Sequence, residues 1–314
     1  MKLAWRICSL LVSLALGGYF LWFCLQHLDL NTLIATPNKT SVLGALLAAS
    51  LCYTAIYPLT GLAWRQLLLR QGQNWSPTQL TVFIGITQLA KYVPGNIAQH
   101  ICRAAYSFKH GMLMRPYATT IVQETLLAAA ASVLIGILFL APATWHSTVG
   151  HYRPVLLTAL ALSCIGILIF CINVPPSSAR KNGPISKFLY MTGGLPGPST
   201  TLKALAAYSC NYLIIGIGIW LLALALSLSS VSYGTATSAF AIAWILGFLA
   251  PGAPAGLGAR EGVMLLVLTG NGSDEKILQL VMLSRASTML GDLIVFSASV
   301  LLSNHINRKK QMLT

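Results

Sequence analysis

Seven ionisable side chains lie inside long apolar stretches: Lys91, Arg103, Glu124, Arg260, Glu261, Arg285 and Asp292. At the centre of a membrane helix such a group costs about 2.5–3.5 kcal/mol on insertion scales, so each is a functional candidate by default. Four cations against three carboxylates leave the interior slightly positive. Lys91 stands just ahead of Pro94-Gly95-Asn96, and Arg260-Glu261 just behind Pro251-Gly252, Gly256 and Gly258. Proline removes a backbone donor and glycine allows a sharp turn, so both places read as broken helices. A helix that restarts after a break points unpaired N–H groups and partial positive charge at whatever lies before it. With arginine forks beside them, such ends suit an anion such as phosphate. Lys91, Asn96, Arg103, Arg260 and Arg285 are therefore the substrate-binding candidates. Glu124, Glu261 and Asp292 are candidates for gating or charge balance, and Pro94, Gly95, Pro251, Gly252, Gly256 and Gly258 for the breaks and hinges. Arg260 and Glu261 point about 100° apart on a helix and cannot pair with each other. Glu124 is a candidate structural partner of Arg103. Arg285 and Asp292, two turns apart on one face, could instead pair with Glu261 or Arg260.

The elements that must hold these groups are membrane helices. Of 314 residues, 20 are Lys or Arg and 6 are Asp or Glu, for a net charge of +14; only 8% are charged and 56% are hydrophobic. A soluble domain carries about 25% charged residues, and disorder needs low hydrophobicity, so both are excluded. A nucleic-acid partner is excluded as well, because the basic residues do not gather in a soluble domain. The seven cysteines lie in or beside apolar stretches without a C-x-x-C pair, so neither disulfide nor metal site is expected, and no cofactor motif is found.

Full spans are expected at 7–25, 41–64, 116–140, 154–173, 204–226 and 276–304. The regions 78–108 and 235–268 differ. Each arm beside their Pro-Gly breaks is too short for a hydrocarbon core of about 30 Å, which predicts two re-entrant hairpins. The two regions align at an offset of 157: Thr78, Phe83, Leu89, Pro94, Gly95, Ala98 and Arg103 match Thr235, Phe240, Leu246, Pro251, Gly252, Ala255 and Arg260. Three full spans between them invert the second unit, a pattern of secondary transporters. The expected fold is all-α: one integral membrane domain over residues 1–314, with six full spans, two re-entrant hairpins in an inverted repeat (78–103 and 235–260) and a proline-rich cytoplasmic loop at 174–201. Lys and Arg in the connecting segments gather on one side under this layout, which puts both termini in the cytoplasm of a plasma-membrane protein.

Gln88-Leu89-Ala90-Lys91-Tyr92-Val93-Pro94-Gly95-Asn96 with Arg103, and Pro254-Ala255-Gly256-Leu257-Gly258-Ala259-Arg260-Glu261, resemble the two motifs of the lysylphosphatidylglycerol synthase transmembrane region family. Ala255 stands where that family usually has glycine, and Arg285 with Asp292 is similar to its charged last helix. The resemblance implies a flippase-like membrane domain, and relatives lacking a synthetase resemble partners of glycosyltransferases. Lysyl transfer is not expected of this chain, and no enzyme signature is found. The leading expectation is a translocase for an anionic phospholipid or a polyprenyl-phosphate-linked glycolipid. The alternative is a non-transporting scaffold or accessory partner of a glycosyltransferase or lipid synthase.

Overall fold

The computed structural model describes residues 39–93, 98–140, 153–172, 194–250 and 254–312. The expected first span at 7–25 lies outside these residues, as do Pro94, Gly95, Asn96, Pro251 and Gly252. The described chain is helical, with no strand: α1 (Lys39–Arg70), α2 (Pro77–Thr87), a 3-10 turn (Gln88–Tyr92), α3 (Ala98–Lys109), α4 (Met114–Leu138), α5 (Arg153–Phe170), α6 (Pro198–Ala225), α7 (Tyr233–Leu249), a second 3-10 turn (Pro254–Gly256), α8 (Ala259–Leu268) and α9 (Asp274–Met312). Among the described residues, four helices are long and apolar enough to cross a membrane: α1, α4, α6 and α9 through Ser303. Helix α5 and helix α7 are apolar but shorter.

Helix α1 illustrates how a mostly apolar span still packs in one orientation. Val42, Ala49, Tyr53, Tyr57, Trp64 and Leu68 recur at about helical spacing and are buried, whereas Leu43, Leu47, Leu51 and Leu62 face outward. Hydroxyls on it are silenced by bonds to the preceding turn: Ser50 to the Leu46 carbonyl and Thr54 to the Ser50 carbonyl, both at 2.8 Å. Its main partner is α6, and the two approach closely because Gly218 faces Ala49. With no hydrophobic drive between helices in lipid, small residues set such contacts through packing. A Cβ at Gly218 would lie 2.9 Å from the Ala49 Cα, and a backbone atom cannot swing aside. Gly218→Ala should therefore cost about 1–3 kcal/mol, read as a lower unfolding midpoint in detergent; an unchanged midpoint would mean that α1 and α6 are not held in this contact.

Helix α7 sits at the centre. Thr235 through Ala243 are buried on every side, the pattern of a helix enclosed by others. Two serines stitch it to α4: Ser132 donates to the Ala241 carbonyl and Ser238 to the Gly136 carbonyl, each at 2.6 Å. The short elements start and stop for local reasons. Ser76 and Gln79 form a capping box ahead of α2, with Pro77 in the first turn. Ser232 caps α7 by accepting from the Thr235 N–H. The loop expected to run through Thr201 ends earlier: Pro198 opens α6, because its fixed φ suits the first turn, and the buried Thr201 donates to the Phe170 carbonyl at 2.9 Å.

The two interrupted regions end their first arms at matching places. Helix α2 with its 3-10 turn stops at Tyr92 and α7 stops at Leu249, again 157 residues apart. Arms α2, α3, α7 and α8 have 11, 12, 17 and 10 residues. As helices none reaches the roughly 30 Å of a hydrocarbon core. The two 3-10 turns meet: Leu89 and Tyr92 of the first, Ala255 of the second and Met289 of α9 form a small buried apolar cluster.

Candidate functional site

The tightest polar cluster forms on Asp292, which is fully buried in α9. Tyr57 of α1 donates to its Oδ1 at 2.5 Å and Gln88 donates to the same oxygen at 3.2 Å. Tyr92 donates to Oδ2 at 2.5 Å, and the Lys91 ammonium lies 2.7 Å from that oxygen. Lys91 also donates to the Tyr53 hydroxyl at 3.1 Å. The turn after α2 is what delivers this: Gln88, Lys91 and Tyr92 all belong to the 3-10 segment.

A second pair holds α3 to α4. Arg103, 3% exposed, grips Glu124 with both terminal nitrogens at 3.0 and 2.9 Å. Its guanidinium carbon lies 3.7 Å from the centre of the Trp64 ring, so the cation is held by a carboxylate fork and an aromatic face together. A third pair lies beside the second 3-10 turn. Arg285 Nε lies 3.3 Å from Glu261 Oε1, and its Nη1 donates to the Ala255 carbonyl at 3.4 Å. Ala255 adopts φ 50 and ψ 25, the left-handed region. A side chain there costs roughly 1–2 kcal/mol that glycine would not, which gives a physical reason for glycine at the corresponding motif position.

Arg260 is different. Among the described residues it has no ion pair or hydrogen bond, and its Nε is buried and unsatisfied. Its side chain lies in a slot made by two glycines: a Cβ at Gly247 would fall 2.3 Å from its Cγ, and one at Gly256 would fall 2.8 Å from its Nε. The slot opens into a cavity of about 210 Å³. Arg103 and Arg260, matched residues of the two regions, both line it. So do Lys91 and Glu124, already paired, together with Gln99, Tyr208 and Asn211. The Tyr208 hydroxyl, Asn211 Oδ1 and Arg103 Nε are buried there without partners. Trp244 and Phe248 stack in parallel on the wall, their ring centres 5.5 Å apart, and Phe248 is 36% exposed at the edge.

A family model described as the lysylphosphatidylglycerol synthase TM region matches residues 10–295. The chain belongs to that family. No curated protein matches it. For this member of the lysylphosphatidylglycerol synthase transmembrane-region family, the expected site residues fall into separate groups. Arg103, Arg260, Lys91 and Glu124 come together at the cavity, whereas Glu261, Arg285 and Asp292 do not line it. Arg285 is occupied by Glu261, and Lys91 by Asp292. Glu124 pairs with Arg103, as the sequence suggested. Asn96 and the break residues Pro94, Gly95, Pro251 and Gly252 lie outside the described residues. Gly256 and Gly258 take positive φ at 72° and 77°, which suits the turn into α8.

The uncharged half of the site in this family member carries no signal in the pattern of charges. Tyr53, Tyr57 and Thr60 of α1 recur at four and three residues, and Asn211 and Tyr212 of α6 lie three and four residues after Tyr208. Polar groups on one face of an otherwise apolar span are the available signal, since hydroxyl and amide groups in lipid also need partners.

Proposed function

We propose that the protein is a flippase-like translocase for a lipid with an anionic phosphate headgroup, working without catalysis of its own. The observation that carries this reading is the unpaired, half-buried Arg260, its Nε buried and unsatisfied, lining with Arg103 one donor-rich cavity within an apolar bundle. A headgroup would supply Arg260 with its missing partner while its chains stay in lipid beyond Phe248. The shortness of α2, α3, α7 and α8 supports two re-entrant hairpins, and their matched ends support an inverted repeat. Counting a span at 7–25 and the shorter α5 beside the four long helices gives six full spans in the plasma membrane, with both termini cytoplasmic. In the competing reading, the protein is a scaffold for a glycosyltransferase or lipid synthase, and the proline-rich segment ahead of Pro198 matters more than the buried charges.

The test is headgroup accessibility in proteoliposomes carrying purified protein and labelled anionic phospholipid. Arg260→Ala should slow exchange between leaflets at least tenfold while the protein remains folded. Exchange as fast as in wild type would remove Arg260 from the mechanism. No exchange by either protein would favour the scaffold.

A further inference from the structure

We infer that the cavity takes a lipid phosphodiester with one net negative charge and an uncharged, hydroxylated headgroup, rather than an aminoacylated headgroup or a diphosphate. This rests on reading the cavity as the headgroup site. Charge carries it first. Each buried carboxylate already has a cation: Asp292 has Lys91, Glu124 has Arg103 and Glu261 has Arg285. Arg260 is left over among the described groups, so the site has one positive charge to compensate. A phosphodiester brings one negative charge, whereas a diphosphate brings at least two and would leave an uncompensated anion in a low-dielectric bundle. An aminoacyl headgroup brings an ammonium, which needs a free carboxylate and would face Arg260 instead.

Polarity agrees. Beyond the guanidinium, the unsatisfied Tyr208 hydroxyl and Asn211 Oδ1 provide a donor and an acceptor that match headgroup hydroxyls. Buried polar groups of this kind reject a ligand that leaves them unpaired.

The experiment measures binding by the purified full chain in detergent, with no transport step. The probes are dioctanoyl phosphatidylglycerol, its lysyl ester, farnesyl diphosphate and glycerophosphoglycerol. Phosphatidylglycerol should bind at least tenfold more tightly than each of the others, and Arg260→Gln should weaken it at least tenfold. If Arg260→Gln does not fold, Tyr208→Phe serves, with several-fold weaker phosphatidylglycerol binding and unchanged farnesyl diphosphate binding. Equal or tighter binding of the lysyl ester or the diphosphate would overturn the charge assignment. Equal binding of glycerophosphoglycerol would assign the site to a soluble phosphodiester and overturn the lipid. Selective binding without flipping leaves this inference standing and removes the translocase. Arg260-dependent flipping of a diphosphate lipid does the reverse.

Discussion

Asp292→Ala should destabilise the folded protein by about 3–5 kcal/mol, the usual cost of leaving one member of a buried ion pair alone. The carboxylate is 0% exposed and takes bonds from Tyr57, Gln88 and Tyr92 as well as the ion pair with Lys91. Its removal strands an ammonium that is 13% exposed and takes away the carboxylate acceptor of Tyr57 and Tyr92. Both penalties act on the turn after α2, so its hold on α9 should loosen first. Thermal unfolding in detergent measures the loss. Lys91→Met combined with Asp292→Leu should recover a large part of it, because replacing both charges by apolar groups removes the orphan. If Asp292→Ala unfolds within 1 kcal/mol of wild type, this network does not hold the turn to α9. A double variant no better than the single one would place the cost in the lost tyrosine bonds instead.

Glu124→Gln should change which headgroup is preferred. Glutamine keeps the length and one acceptor for Arg103, and the Trp64 face 3.7 Å away still steadies the guanidinium. The carboxylate charge is gone, so the cavity then offers two uncompensated cations, Arg103 and Arg260. On charge matching alone, farnesyl diphosphate should gain at least tenfold in affinity relative to dioctanoyl phosphatidylglycerol. Competition binding to the purified variant reads this directly. A preference identical to wild type would show that Glu124 does not set the charge of the cavity.

Much of the fold was legible because membrane helices obey length and hydropathy. The expected spans at 41–64, 116–140, 204–226 and 276–304 each fall largely within an observed helix, α1, α4, α6 and α9. Ends were less legible. Pro198 starts α6 inside what composition alone reads as loop, since a proline in a turn and a proline at a helix start look alike until the fold is known. In the site, Arg103 with Glu124 was legible because a buried arginine needs a carboxylate. The pairing of Lys91 with Asp292 was not, because the two are about 200 residues apart and only the meeting of the first turn with α9 joins them. The special position of Arg260 shows only in the fold, where Lys91, Arg103 and Arg285 each meet a carboxylate and Arg260 does not. Its glycine slot was hidden too: Gly247 reads as one more small residue in an apolar helix until Arg260 is seen lying against it.

The small apolar cluster of Leu89, Tyr92, Ala255 and Met289 ties the two interrupted regions into one mechanical part. If the first turn moved alone, it would pull Leu89 and Tyr92 away from Ala255 and open a void between them, and voids in packed interiors are expensive. The cheaper motion carries both turns together, with α9 as their common rail. Occupancy at Arg260 in the second region would then be felt at Lys91 in the first without any ligand bridging them.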